Sequence, residues 1–262
     1  MERCANITVR NCLFTPHIYF RFILPNGDPY GQGTYDITPA WVVNLTFEHC
    51  RQTIDILDPR CWGVMGSNFC KNITLNDCIF SRFDAHQGVA NVTIKDCTLG
   101  LQCFNIIGTG KAYLENTTLY GHNMINLRFD YGSHWDGEIV VRNCRWIPEQ
   151  GKPLTGYCPV IGGRNDEDHD FGYDCYMPHT VDIDGLYIDD SFATKEGGVV
   201  LFANMNPDHI TEDYEAELLS KGYPYHQTKT VKIKNLSIAS GKKLPVSLNP
   251  FMFRNTEIIY EK

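Results

Sequence analysis

The sequence contains no run approaching 18 consecutive apolar residues, so no membrane-spanning helix is written in it. It is short of positive charge: 23 Lys and Arg stand against 31 Asp and Glu, a net charge of −8. Binders of nucleic acid or of anionic membranes lean the other way, so neither partner is expected. Residues Met1 to Cys12 lack the charged and then apolar stretches of a secretory signal. None of the 11 cysteines forms a Cys-x-x-Cys pair, which removes the usual zinc spacing, and no metal site is assigned to them. Their odd number also argues against a disulfide framework. Disorder is excluded for most of the chain by its 14 Phe, 14 Tyr and 4 Trp.

What the sequence does contain is a repeat. Clear copies run from Asn6 to Cys12 (NITVRNC), Asn44 to Cys50 (NLTFEHC), Asn72 to Cys78 (NITLNDC), Asn91 to Cys97 (NVTIKDC) and Glu138 to Cys144 (EIVVRNC). Weaker copies begin at Lys111, Thr180 and Thr230. The first apolar positions are 7, 45, 73, 92, 112, 139, 181 and 231. The shortest steps, 19 and 20 residues, set the unit, and longer steps are that unit plus insertions. Alternation of period two within each copy indicates a strand with one buried face. A five-residue strand cannot bury a face alone, but stacked copies can share a continuous core. Val, Ile, Thr and Tyr in place of helical spacing exclude a helical solenoid.

These N-[ILV]-T-[VILF]-x-[ND]-C units resemble the coils of the pectin-lyase-like superfamily. The resemblance covers essentially the whole chain, 1–262, as one domain. It implies an all-β fold: a single-stranded right-handed parallel β-helix with long loop insertions. It also implies an extracellular or cell-surface setting. No segment before Ile7 is available to cap the first coil, so the chain is expected to lack an N-terminal cap and to be part of a longer protein. The repeated cysteines, Cys12, Cys50, Cys78, Cys97 and Cys144, are expected as an inward ladder of small hydrophobes. The Asn-x-Thr triplets that match the glycosylation pattern are read as the repeat itself.

Insertions lie at Pro16–Pro39, Arg51–Phe69, Pro148–His179 and Asp189–Thr228. The last holds one short helix, with Thr211 as N-cap and Lys221-Gly222 at its end. Loops of this length are usually functional walls or lids.

Two segments echo each other, Arg82-Phe-Asp84-Ala-His86 and Arg128-Phe-Asp130-Tyr131. Alternation points Phe83, Ala85 and Phe129 inward, and Arg82, Asp84, His86, Arg128 and Asp130 outward. Counted back from the next repeat, Asp84 and Asp130 fall at nearly the same place two coils apart, roughly 9–10 Å. Carboxylates ~6.5–9.5 Å apart suit an inverting glycosidase, with water between them. Asp84 and Asp130 are therefore the candidate acid and base. Arg82, His86, Asn105, Arg128, Tyr131, His134, Trp135 and Asp136 are candidate substrate-binding residues, and Trp146 and Tyr173 are further stacking aromatics. The plain alternative is a surface ladder of Arg–Asp pairs, each worth little.

The resemblance also implies a second chemistry, a polysaccharide lyase acting on uronates, with Arg82, Arg128 or Lys111 as base. A Ca²⁺ ion could then sit on the acidic run Asp166, Glu167, Asp168 and Asp170, although no EF-hand spacing is present. No cofactor is otherwise expected. The catalytic signatures of polygalacturonases and pectate lyases are absent as sets. The leading expectation is a glycoside hydrolase acting on a polysaccharide or oligosaccharide, with a lyase or a non-catalytic glycan-binding or spike module as alternatives.

Overall fold

The computed structural model describes residues 1–16, 20–23, 25–27, 29–32, 35–148, 157–163, 173–193, 198–203, 212–222, 224–247, 249 and 251–261. The architecture is all-β, and the repeat strands pair in parallel in sequence order. The register joins Ile7, Leu45, Ile73, Val92, Ala112, Ile139, Val181 and Val231 as neighbours. These are the eight anchors of the sequence repeat. A ninth strand, Glu257–Tyr260, places Ile258 beside Val231. It lacks the Asn and Cys corners, and so left no repeat signal.

The first four copies turn sharply at both ends of this strand. Asn6, Asn44, Asn72 and Asn91 have φ of 57°, 58°, 57° and 62°, and Asn11, His49, Asp77, Asp96, Asn116, Asn143 and Asn235 are also left-handed. Asn and Asp tolerate this region because their short polar side chains bond locally. The first corner is tied further by an amide ladder. Asn44 Nδ2 donates to Asn6 Oδ1 at 2.8 Å, Asn72 to Asn44 at 2.9 Å and Asn91 to Asn72 at 2.9 Å. The nitrogens of the Asn-x-Thr triplets at 44, 72 and 91 are thus committed to neighbouring repeats.

Beyond the second corner a second parallel ladder forms, through Leu13, Arg51, Ile79, Thr98, Thr118 and Arg145. A third aligns Phe83, Phe104, Ile125, Ile161 and Phe202. The three ladders enclose one core of buried Leu, Ile, Val and Phe. Burial of each such side chain is worth about 1.5–3 kcal/mol.

Cys50, Cys78, Cys97 and Cys144 stack inside it as expected, but Cys12 is exposed. It follows the first strand, Ala5–Arg10, which among the described residues pairs on one side alone, with Val43–Glu48. Thr117 takes the rung between Cys97 and Cys144, and accepts the Cys97 amide at 3.4 Å.

Among the described residues, two insertions carry regular elements. Within 16–39, Phe20–Ile23 and Pro29–Gln32 form an antiparallel hairpin. The expected helix spans Glu212–Ser220 and ends at Gly222, whose φ is 83°, a left-handed C-terminal stop. Its proposed N-cap, Thr211, lies outside the described residues, as does the acidic run Asp166, Glu167, Asp168 and Asp170.

Candidate functional site

Phe83 and Ala85 face inward as alternation requires, and Asp84 pairs in register with Asn105. Asn105 in turn pairs with Asn126, whose amide donates to its Oδ1 at 2.7 Å. Two repeats on from Asp84 is therefore Asn126, not Asp130. Counting from the next anchor misplaced Asp130, because the link after Asn126 is longer. Phe129–Tyr131 is a 3-10 turn rather than a strand, entered through Arg128 at φ 28°. Phe129 is consequently only half-buried.

The turn sends Arg128 back across the repeats. Its Nη1 donates to Asp84 Oδ1 at 2.8 Å, while Nε and Nη2 grip Asp130 at 2.9 and 2.5 Å. Arg82 Nη2 donates to the other Asp84 oxygen at 2.6 Å, and the Tyr35 hydroxyl donates there too. The Arg82 guanidinium also lies 5.4 and 5.0 Å from the Tyr35 and Trp62 rings. Asp84 is 0% exposed, and Arg82 and Arg128 are nearly as buried. The expectation of outward, solvent-facing groups holds for Asp130, whose side chain is exposed, but fails for Arg82, Asp84 and Arg128, because Tyr35 and Trp62, from the insertions, pack over Arg82 and Asp84. One guanidinium fills the space between the carboxylates where an attacking water would sit.

Electrostatics follow from this packing. Burial pushes the Tyr35 hydroxyl up, and Asp84 beside it adds to the effect. Burial opposes ionisation of Asp130, yet the Arg128 hydrogen bonds win and hold it below its ordinary value. Arg128 is raised, its burial outweighed by Asp130 and Asp84. His86, half-buried near the Tyr35 ring at 5.8 Å, is lowered mainly by burial.

Other expected residues divide. Tyr131 is buried beneath Arg128, 4.7 Å from its guanidinium. Trp135 and Trp146 are fully buried, and their indole nitrogens donate to the Glu138 and Gly121 carbonyls. Neither offers a face to a sugar, because both point into the core. His134, Asp136 and Tyr173, by contrast, meet at an open groove.

That groove encloses about 390 Å³, within the range of small-ligand sites. Its floor is formed by Gly88 to Ala90 and by Gly108 and Thr109. Phe69 and Lys71 wall one end, and His134, Asp136 and Tyr173 the other. Gly88 and Gly108 have φ of 138° and 136°. A Cβ on Gly108 would meet the Val89 carbonyl at 2.0 Å, so the floor requires glycine there.

The walls are aromatic stacks built by neighbouring repeats. Phe69 stacks on Trp41 at 6.1 Å and 13°. Both are substantially exposed, 41% and 50%. Both also have left-handed backbone, an outlying conformation for bulky residues that concentrates at functional sites. Opposite, His134 packs on Tyr173 and Tyr176 at 4.9 and 5.0 Å. His134 Nδ1 lies 2.7 Å from the Asp174 carbonyl, so Nδ1 carries the proton and Nε2 the lone pair. Burial lowers its pKa, against the pull of Asp136 and Asp174. Asp136 Oδ1 lies 3.0 Å from His179 Nε2.

Lys71, Phe69, Tyr176 and His179 were missed by sequence reasoning. A positional signal exists: His134, Tyr176 and His226 each stand five residues before their repeat's first apolar anchor, and the structure pairs them as one column.

Comparison with known proteins gives one partial likeness. A capsule KL64-specific depolymerase of Klebsiella phage P510 is 31% identical over 100 residues, 34% of this chain and 10% of that protein. The match thus spans about a tenth of that protein's length. No family model and no solved structure matches.

Proposed function

We propose that this chain is a right-handed parallel β-helix of the pectin-lyase-like type that binds a polysaccharide in the Phe69–His134 groove and cleaves it there. The observation that carries this reading is the convergence of Lys71, His134, Asp136 and Tyr173 on a groove walled by the exposed Phe69 ring and the half-buried rings of His134 and Tyr173. Aromatic faces pack on the apolar faces of sugars, and a few convergent polar groups fix orientation. The partial likeness to a capsule depolymerase supports a polysaccharide as partner. Asp84 serves in this reading as the buried anion that anchors Arg82 and Arg128, and Asp130 as the outer partner of Arg128. Asn105 and Arg128, expected to bind substrate, are buried, and His86 is half-buried beside Tyr35, so none of the three is assigned to the sugar.

Between the two chemistries, elimination moves ahead of hydrolysis. Hydrolysis calls for two carboxylates about the bond, and among the described residues lining the groove Asp136 is the one carboxylate. An imidazole held neutral with a free Nε2 is a competent general base, and Lys71 offers a cation for a uronate carboxylate. His134 Nε2 would take the proton beside that carboxylate. The released electron pair forms the ring double bond as the glycosidic C–O bond breaks. The leaving oxygen takes a proton from the Tyr173 hydroxyl, whose oxygen would lie 3.5 Å from a Cβ built on Gly88.

The test is incubation with alginate, hyaluronan and KL64 capsular polysaccharide, reading both ultraviolet absorbance of unsaturated uronates and new reducing ends. Unsaturated products support elimination at this groove. Reducing ends without unsaturation restore hydrolysis, and binding without turnover makes the chain a glycan-binding module.

A further inference from the structure

A second pocket of about 430 Å³ adjoins the groove, lined by Tyr176, His179, Tyr225, His226, Gln227, Lys229 and Asn255. Their walls are in contact. Tyr176 packs on His134 across one repeat, and His179 Nε2 lies 3.0 Å from Asp136 Oδ1. Asp174 ties the walls together, since its carbonyl meets His134 and its carboxylate lies 3.5 Å from His226 Nε2.

We propose that this second pocket is a separate saccharide subsite, which holds the unit of a carboxylated glycan one step beyond the unit in the main groove. The inference rests on the glycan reading above. Its wall is the Tyr176–His226 pair, stacked at 3.7 Å and 11°, a rigid aromatic column whose ring edges line the pocket beside a sugar. Tyr225 is fixed beneath it by donating to the Met252 carbonyl at 2.8 Å. Lys229 and Asn255 are exposed at the rim, one a cation for a carboxylate and the other an amide for hydroxyls. Neighbouring repeats lie ~4.8 Å apart, on the order of one sugar unit, so a chain leaving the main groove over His134 reaches Tyr176 within one unit.

Affinity electrophoresis of the whole chain in gels containing alginate, hyaluronan or KL64 capsular polysaccharide tests this. The double variant Lys229→Ala, Asn255→Ala is expected to weaken retardation on whichever polymer the wild type binds by roughly tenfold, about 1.4 kcal/mol. Lys232→Ala removes an exposed charge on the adjacent strand outside the pocket and is the control, expected to match wild type. Equal retardation of double variant and wild type overturns the subsite while leaving the main groove intact. Equal loss in the control and the double variant also overturns it, since net charge then explains the effect. A wild type that binds none of the three removes the underlying reading, and the subsite with it.

Discussion

Asp84 and Arg128 lie 44 residues apart in sequence and 2.8 Å apart in space, joined by a buried charge-assisted hydrogen bond. With Arg82 on the other carboxylate oxygen, the result is a closed Arg–Asp–Arg triad at the place where the sequence pointed to a catalytic acid.

Replacing Asp84 by Asn is expected to cost about 3–5 kcal/mol, because two buried guanidinium groups lose their counter-charge. Urea denaturation should report the loss as a lower midpoint. Wild-type stability together with abolished turnover would return Asp84 to a reacting role.

His134→Gln is expected to lower turnover by ~10²–10⁴, the range for loss of a positioned general base, with unchanged circular dichroism. A variant that keeps more than a tenth of wild-type turnover moves the base elsewhere.

His134 and His86 both have folded pKa values below the ordinary 6.5, each mainly through burial. The unfolded chain therefore binds more protons than the folded one once pH falls below about 6.5, so stability rises with pH in that window. The contribution is present above 6.5 and is lost as pH falls through the folded values. Turnover through neutral His134 should fall on the same acid side. A flat profile from pH 7 to 5 in both activity and unfolding midpoint contradicts the arrangement.

Asn72→Ala is expected to destabilise by roughly 1–2 kcal/mol, since alanine pays the left-handed backbone penalty and both amide links to Asn44 and Asn91 are lost. Asn72→Gly keeps the backbone and loses only the links, so its midpoint should fall between those of alanine and wild type. Equal values for the two variants would mean that the corner geometry contributes nothing.

Much of the fold was legible because its signals are local. An asparagine at a left-handed corner, alternating apolar residues and a cysteine after the second corner recur within seven residues. Those seven residues suffice to place eight strands in register, from Ile7 to Val231. The ninth strand at Ile258 carries none of the corner chemistry and stayed hidden. The site was legible only in part. His134, Asp136 and Tyr173 were recognised as polar or aromatic groups near the right strands. Phe69, Lys71, Tyr176 and His179 come from other repeats, and only alignment on the anchors brings them together.

The sequence by itself determined that the copies stack and where their left-handed corners fall, because both depend on a residue and its near neighbours. Only the tertiary structure decided which polar groups meet water. Tyr35 and Trp62 arrive from distant insertions to bury Asp84 and Arg82, and a 3-10 turn carries Arg128 into the gap between two carboxylates. Meanwhile glycines at 88 and 108 open a groove that exposes His134 and Asp136. Burial and pairing are properties of what packs across the repeats, and that information is spread over the whole chain rather than written in any one copy.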